Sequence, residues 1–343
     1  MERITRKHFH ALRLDSQLSE GIIDPAQDLK YLPFWIIAEI IYGEIPSELE
    51  EELRILAPKR EALFRHVIAG GLPRFKWSKY LYTATNRDLA SFKAQWSSFN
   101  RRAREHAIEN DIDPPLIQMY QAVDSNEMTE EELLQTLDEM LFANLDVTIG
   151  GVSWNLVFLA ANPAVQERLR AEIIMSRRGS PALFSQYLLS SSTYLAACIS
   201  ESARLRPLAA FSVPQAVPTA RVIGGYYFEA GTNFVVDSYA LNQRNPYWGD
   251  DSSIFQPDRF FRSSVVQARY NFWRFGFGPR QCMGKYAADV MIRVLLVYMM
   301  EEFVLSMDRS GDDWGRNMES WINHPQLKLK CEALASHKRQ LHQ

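Results

Sequence analysis

One stretch constrains this chain more than any other: an almost unbroken apolar run between two helix-boundary signals. Thr129 followed three residues later by Glu132 has the spacing of a capping box, in which each side chain answers the other residue's backbone N–H. From there LLQTLDEMLFANLDVTIGGVSWNLVFLAA continues to Asn162-Pro163, where proline ends it. A helix of about 30 residues, rising about 1.5 Å each, is a rod about 45 Å long. It is apolar on most sides, so it must run through a core and not along a surface. Such a rod needs a large body around it. The 343 residues, 47% apolar and 23% charged, supply one and exclude wholesale disorder.

The flanking sequence is also mostly helical. Residues 1–110 read as helices, among them PSELEEELRILAPKREALFRHVIAGG, which opens at Pro46 and Ser47 and closes at Gly70 and Gly71. Asp113-Pro114-Pro115 is a break. Past the rod, Asn162 is placed as an N-cap and Pro163 as the first helical residue, ahead of the amphipathic VQERLRAEI. A further helix over 191–205 stops before Pro207. The texture changes at 212–236, where VIGGYYFEAGTNFVV reads as a hairpin. Residues 241–280 are rich in Pro, Gly and Asn, yet carry Trp248, Phe255, Phe260, Phe261, Phe272 and Trp273, which argues for a packed functional segment. A last helix covers 283–303. The expected class is mainly α with a small β region late in the chain. Inside the rod, Gly150 and Gly151 each cost about 1 kcal/mol against alanine, which suggests a local bulge.

Several function classes drop out. Lys plus Arg is 38 and Asp plus Glu is 41, a net charge of -3, so no overall basic field attracts nucleic acid. Three scattered cysteines, Cys198, Cys282 and Cys331, do not make a disulfide scaffold. Their odd number points to a reducing compartment or to one thiol with chemistry of its own. The N-terminal MERITRKHFHALRLDSQ lacks the apolar region of a signal peptide. The apolar runs at 31–43 and 294–300 are cut by Glu39 and by Glu301 and Glu302, short of the roughly 20 residues of a bilayer span, so no membrane span is expected. His8 and His10 stand two apart, on different faces of a helix, and do not form a metal pair.

The sharpest local feature is Phe275-Gly-Phe-Gly278-Pro-Arg280-Gln-Cys282-Met-Gly284. A glycine-rich aromatic loop delivers a cysteine to the start of an apolar helix, where backbone N–H groups and the helix dipole favour a thiolate. The loop meets every fixed position of F-x-x-G-x-R-x-C-x-G and in this resembles the haem-ligand loop of the cytochrome P-450 family. The resemblance implies that Cys282 is the axial ligand of haem b iron, its thiolate pushing electron density towards O–O cleavage. It implies that Phe275 shields the sulfur, that Gly278 and Gly284 let backbone approach the porphyrin, and that Arg280 pairs with a propionate.

Other segments resemble the family in the same order. Glu201-Ser-Ala-Arg204 is similar to its E-x-x-R helix motif, with both charges on one helix face. Pro257-Asp-Arg259-Phe260 is similar to its P-x-R-F segment, so that Glu201, Arg204 and Arg259 would form a structural cluster pinning the irregular loop. Asn162-Pro163 with VQERLRAEI, and Asn245-Pro-Tyr-Trp-Gly-Asp250, also look like family members. On the rod, Ala143-Asn144-Leu145-Asp146-Val147-Thr148 stands where the family carries A/G-G-x-D/E-T-T over the haem. By that likeness Asp146, Thr148 and Asn144 are the candidate catalytic residues, a proton path for oxygen activation. Asn144 replaces the usual glycine, and Val147 the threonine most linked to that step.

The resemblance covers about 130–305 well and 1–129 loosely, with 306–343 a C-terminal β and loop segment, all within one haem-thiolate domain over 1–343. No W-x-x-x-R occurs in the first 130 residues (Trp35, Trp77 and Trp96 do not fit it), and Gln215 stands where many members place a basic propionate partner. The expectation is therefore a cytochrome P-450 fold lacking its N-terminal portion. The implied activity is oxidation of a hydrophobic small molecule by O₂, with electrons from a flavoprotein reductase, at the cytosolic face of the endoplasmic reticulum. Arg259, Arg262, Arg274 and Lys285 are candidates for a positive docking face or are ordinary solvated charge. FANLDVTIGGVSWN with LRPLAAFSVPQAVPT looks most like fungal secondary-metabolism members, some of which act on cyclic-dipeptide toxins. The alternatives are a shortened relative without turnover, and a haem-thiolate coupling or ring-forming enzyme suggested by Val147.

Overall fold

The capping and proline signals place the helices. The computed structural model describes residues 1–72, 75–145, 147–262, 268, 270–308, 314 and 322–334. Its helices are α1 (Glu2–Asp15), α2 (Pro25–Asp28), α3 (Leu32–Tyr42), α4 (Ser47–Ala69), α5 (Ala84–Glu109), α6 (Pro115–Asp124), α7 (Glu130–Phe142), α8 (Val147–Ala161), α9 (Pro163–Arg177), α10 (Pro181–Leu189), α11 (Tyr194–Leu205), α12 (Arg259–Arg262) and α13 (Lys285–Glu302). The strands are short: β1 (Ile22–Ile23), β2 (Gln215–Ala216), β3 (Arg221–Ile223), β4 (Tyr226–Phe228), β5 (Asn233–Phe234), β6 (Phe303–Met307) and β7 (Leu329–Ala333). They pair antiparallel as β1-β7-β6, β2-β5 and β3-β4. The expected hairpin is the β3-β4 pair, turning at Gly224-Gly225 with Ile223 opposite Tyr226, and β2-β5 brackets it.

The chain divides into two compact units, Pro33–Leu145 and Met1–Leu32 with Asp146–Gln343. In the first, α4 lies along α5. Its core is aromatic: Trp96 stacks on Phe99 at 5.6 Å and meets Phe142 at 5.2 Å, while its indole N–H donates to the Leu134 carbonyl at 2.9 Å. Arg60 clasps Asp138 with contacts of 2.7 and 2.8 Å. The Thr129–Glu132 capping box forms as expected, opening α7.

In the second unit α8 is the centre, buried along nearly its whole length and packed on α2, α9, α11, α13 and β6. A buried glutamine ties the junction of helix and sheet. Gln166 Nε2 donates to the carbonyls of Leu159 (3.0 Å) and Leu305 (2.9 Å), and its Oε1 accepts from Leu305 N (2.9 Å) and Arg170 (2.9 Å). Arg170 in turn caps the end of α13 through the Met300 and Phe303 carbonyls. These are the orphan carbonyls every helix C-terminus leaves.

Three local expectations change. The single rod is two helices, α7 and α8, with a 3-10 turn at Ala143–Leu145 between them. There Asn144 Nδ2 donates back to the Met140 carbonyl at 2.7 Å, the local competition with the helix that Asn side chains offer. Gly150 and Gly151 do not mark a bulge: α8 runs through both. Gly150 serves close approach instead, since a Cβ there would sit 3.1 Å from Leu208, 3.2 Å from Ile322 and 3.3 Å from the Asn323 carbonyl oxygen. Trp154 Nε1 fixes that approach by donating to Asn323 O at 2.8 Å. Asn162 stands at the N-cap of α9 but does not cap it; its Nδ2 donates to the Phe158 carbonyl at 2.8 Å. Among the described residues, one stretch, Glu130–Ala161, has the length and composition to cross a bilayer, and its most apolar 18-residue window is 76% buried inside the protein, as in a core helix.

Candidate functional site

The three charges expected to cluster do so. Arg204 forks onto Glu201 with contacts of 2.7 and 2.8 Å, and both side chains are 0% exposed. Spacing of three residues on α11 makes the pair; its burial demands further partners. Arg204 Nη1 donates to the Asn242 carbonyl at 3.0 Å, and its guanidinium lies 5.0 Å from the centre of the Trp248 ring. Glu201 Oε1 also accepts from Gln256 N at 3.1 Å and from Arg259 at 3.4 Å. Arg259 reaches on to the Trp248 carbonyl (2.8 Å), Asp251 Oδ1 (2.8 Å) and the Asp251 carbonyl (2.9 Å). Burial works against the Arg259 cation, but Asp251 and Glu201 outweigh it and hold its pKa above the ordinary arginine value.

This cluster pins the irregular segment. Trp248 Nε1 donates to the carbonyls of Leu241 (3.0 Å) and Asn271 (3.1 Å), and Phe272 and Phe260 meet edge to face at 5.4 Å. Asn242, fully buried, grips the backbone of Trp273 from both sides: its Nδ2 donates to Trp273 O at 2.8 Å, and its Oδ1 accepts from Trp273 N at 2.6 Å. The chain from Arg204 through Asn242 to Trp273 thus sets where the cysteine loop begins. Sequence reasoning missed Asn242, which carries no spacing signal in LNQRNPYWGD.

The loop itself folds back on its own backbone. Cys282 N donates to the Phe275 carbonyl at 2.8 Å, and Gln281 Nε2 donates to Gly276 O at 3.1 Å. Gly278 has φ +68, a left-handed conformation that L side chains rarely adopt, with open space where a Cβ would be. Phe275 is half-buried, whereas Gly278, Arg280, Cys282 and Gly284 are exposed. Cys282 is a free, exposed thiol; Cys198 and Cys331 are buried. Burial drives the Cys198 thiol far above its usual pKa and pushes Cys331 up to about 12. A Cβ at Gly284 would meet only the Cys282 sulfur, at 4.0 Å, so the glycine keeps one flank of that sulfur clear. An accessible soft donor, a clear flank and an exposed guanidinium two residues away fit a thiolate-ligated porphyrin carrying carboxylates.

The remaining candidates are spread more widely. Thr148 is buried in the first turn of α8, and Asn144 lies in the 3-10 turn bonded to Met140. Asp146 lies outside the described residues. Of the four basic residues proposed as a docking face, Arg259 and Arg274 turn inward, with side chains 11% and 17% exposed, while Arg262 is exposed and Lys285 donates to Gln281. His8 Nε2 bonds the Asp28 carbonyl at 2.8 Å, and burial lowers its pKa. Among the described residues no group of three or more His, Cys, Asp or Glu could hold a metal ion.

The family model for cytochrome P-450 matches residues 1–331. The chain is 52% identical over 335 residues to the cytochrome P-450 monooxygenase aclC of Aspergillus oryzae, an alignment covering 96% of this chain and 68% of the relative. It is 50% identical to the monooxygenase asaD of Aspergillus flavus over 95% of this chain and 63% of the relative. The monooxygenase gliC of Aspergillus fumigatus is 37% identical over 91% and 62% respectively. The chain thus spans roughly two thirds of the length of these relatives, from 62% to 68%. A zebrafish cytochrome P-450 solved with progesterone superposes with a TM-score of 0.75 over 97% of this chain and 76% of that chain; at 18% identity the likeness is one of fold.

Proposed function

This chain belongs to the cytochrome P-450 family, and from that premise we propose that it is a haem-dependent monooxygenase that oxidises a hydrophobic small molecule in fungal secondary metabolism, with Cys282 as the axial ligand of haem b. The observation that carries this reading is the Cys282 loop, an exposed thiol fixed through its own N–H to the Phe275 carbonyl at the head of α13. When bound, the haem supplies the oxygen and one-electron chemistry, and the protein supplies orientation and electrostatics. Phe275 would shield one side of the sulfur. Arg280 would pair with a propionate through a charge-assisted contact, and Gly278 and Gly284 would let the ring lie close to the backbone. Asp146 would supply the proton, with Thr148 and Asn144 as its candidate partners by family resemblance. Glu201, Arg204 and Arg259 do no chemistry; they hold the segment that presents the loop.

Electrons come from a flavoprotein reductase, and the working place is the cytosolic face of the endoplasmic reticulum; family membership supports both. Val147, 37% exposed at the position where the family's A/G-G-x-D/E-T-T pattern has a threonine, favours a second reading in which the product arises by ring closure or coupling. Reduction of the haem-loaded protein under carbon monoxide tests the main reading. The red-shifted thiolate Soret band is the expected result, lost in Cys282→Ala. Its absence from the wild-type chain after haem addition would mean a relative without turnover. Product analysis with a reductase then separates hydroxylation from coupling.

A further inference from the structure

At the start of the cysteine loop lies a group of charges that no motif announces. Arg274 immediately precedes Phe275, whose carbonyl holds the Cys282 N–H. The Arg274 guanidinium lies 4.5 Å from the centre of the Phe275 ring, and its Nη2 is 2.7 Å from Asp289 Oδ1 on α13. The other oxygen of Asp289 accepts from Arg293 Nε at 2.7 Å, one helical turn on. Arg293 Nη1 donates to the carbonyls of Leu188 and Ser190 just ahead of α11. All three side chains are largely buried, at 17%, 20% and 7% exposure.

The charges do not balance. Two guanidinium groups share one carboxylate, and among the described residues no second acid pairs with either. Burial lowers the Arg274 pKa, a sign of how unfavourable this place is for a cation. Excess buried charge is costly, and a neutral pair or an apolar plug would close the same space at less cost. The arrangement becomes favourable when an anion is held by the same loop, whose Cys282 N–H bonds the carbonyl of the residue next to Arg274. A thiolate at Cys282 is such an anion, and every electron added to a centre bound there is another negative charge for the same field to stabilise.

We propose that Arg274, Asp289 and Arg293 are a built-in electrostatic bias at the start of the Cys282 loop, with Arg274 a positioning residue that both fixes the Phe275 ring and raises the reduction potential of the centre the cysteine holds. This rests on the haem-thiolate reading. It makes a sign prediction that packing alone does not. Removing a cation lowers the potential, removing the carboxylate raises it, and removing one of each restores the original excess of one positive charge.

The test is spectroelectrochemical titration of the haem-loaded full chain, in the wild type and in four variants. Arg274→Gln lowers the potential by about tenfold in the reduction equilibrium, which is about 59 mV for one electron. Asp289→Asn raises it by a comparable amount, and Arg274→Lys stays close to the wild type. The Arg274→Gln, Asp289→Asn double variant returns towards the wild-type value. In Arg274→Gln, Asp289 keeps Arg293, so no charge is stranded and the variant retains its fold. Shifts of the same sign in both single variants, or none at all while the carbon monoxide band persists, would overturn the inference. A wild-type chain with no such band would overturn the haem-thiolate reading, and the inference with it.

Discussion

The Glu201–Arg204 pair and the Cys282 loop are built on opposite plans. The pair is sealed: both side chains are fully buried, and each charge finds partners from Asn242, Gln256 and Arg259. The loop is open: Gly278, Arg280, Cys282 and Gly284 are exposed, and where Gly278 would carry a Cβ there is empty space. Between them run Asn242 and Trp273, so the closed region fixes where the open one starts. Polar groups buried and satisfied hold a geometry without any ligand. Donors left facing outwards on a rigid base are the arrangement of a binding site.

The largest effect that would break this contrast is expected at Glu201. Glu201→Ala leaves Arg204 a buried cation whose remaining direct contacts among the described residues are the Asn242 carbonyl and the Trp248 ring. Breaking a buried pair in this way costs about 3–5 kcal/mol. Denaturant unfolding of the haem-free protein should show that loss, since the pair needs no ligand to form. A cost below about 1 kcal/mol would mean that the cluster is not what holds the segment.

Glycines give a finer comparison. Gly150 lies in the packed region, where a Cβ would press on Leu208, Ile322 and the Asn323 backbone. Gly150→Ala should cost about 1–3 kcal/mol by overpacking. Gly278 meets nothing, so Gly278→Ala pays only for its left-handed backbone, about 1–2 kcal/mol. The two should part on haem retention, which Gly278→Ala weakens and Gly150→Ala leaves near normal when measured below its unfolding temperature. Equal retention in both variants would remove the distinction between the regions.

What the sequence made legible follows the same line. Features encoded by neighbours were readable: the Thr129–Glu132 box, the stop at Pro163, the turn at Gly224-Gly225, the three-residue spacing of Glu201 and Arg204. The cysteine loop was readable because its conformation needs particular residues at fixed steps. Features created by distant chain segments were not. Gly150 suggested a bulge because its real neighbours, Leu208, Ile322 and Asn323, come from far along the chain. At the Ala143–Leu145 break the Asn144 amide bonds the Met140 carbonyl, a local feature inside a strongly helical pattern. Arg274 looked like surface charge; only the fold brings Asp289 to it.

The smallest effect on stability, and the sharpest on chemistry, is expected at the cysteines. Cys282 is exposed, while Cys198 and Cys331 are buried with thiols held protonated by burial, the second pushed up to about 12. Thiolate is the reacting form, so burial protects Cys198 and Cys331 both by closing access and by keeping their thiols protonated. Iodoacetamide on the folded haem-free chain should add one label, at Cys282, by intact mass and peptide mapping. Two further labels should appear only in denaturant, in step with global unfolding. Haem loading should suppress the first label and leave the others unchanged. Cys282→Ala should change stability by no more than about 0.5 kcal/mol, as a substitution at an exposed position does. Labelling of Cys198 as fast as Cys282 under native conditions would show that the region taken as closed opens readily, and the contrast between sealed cluster and open loop would fail.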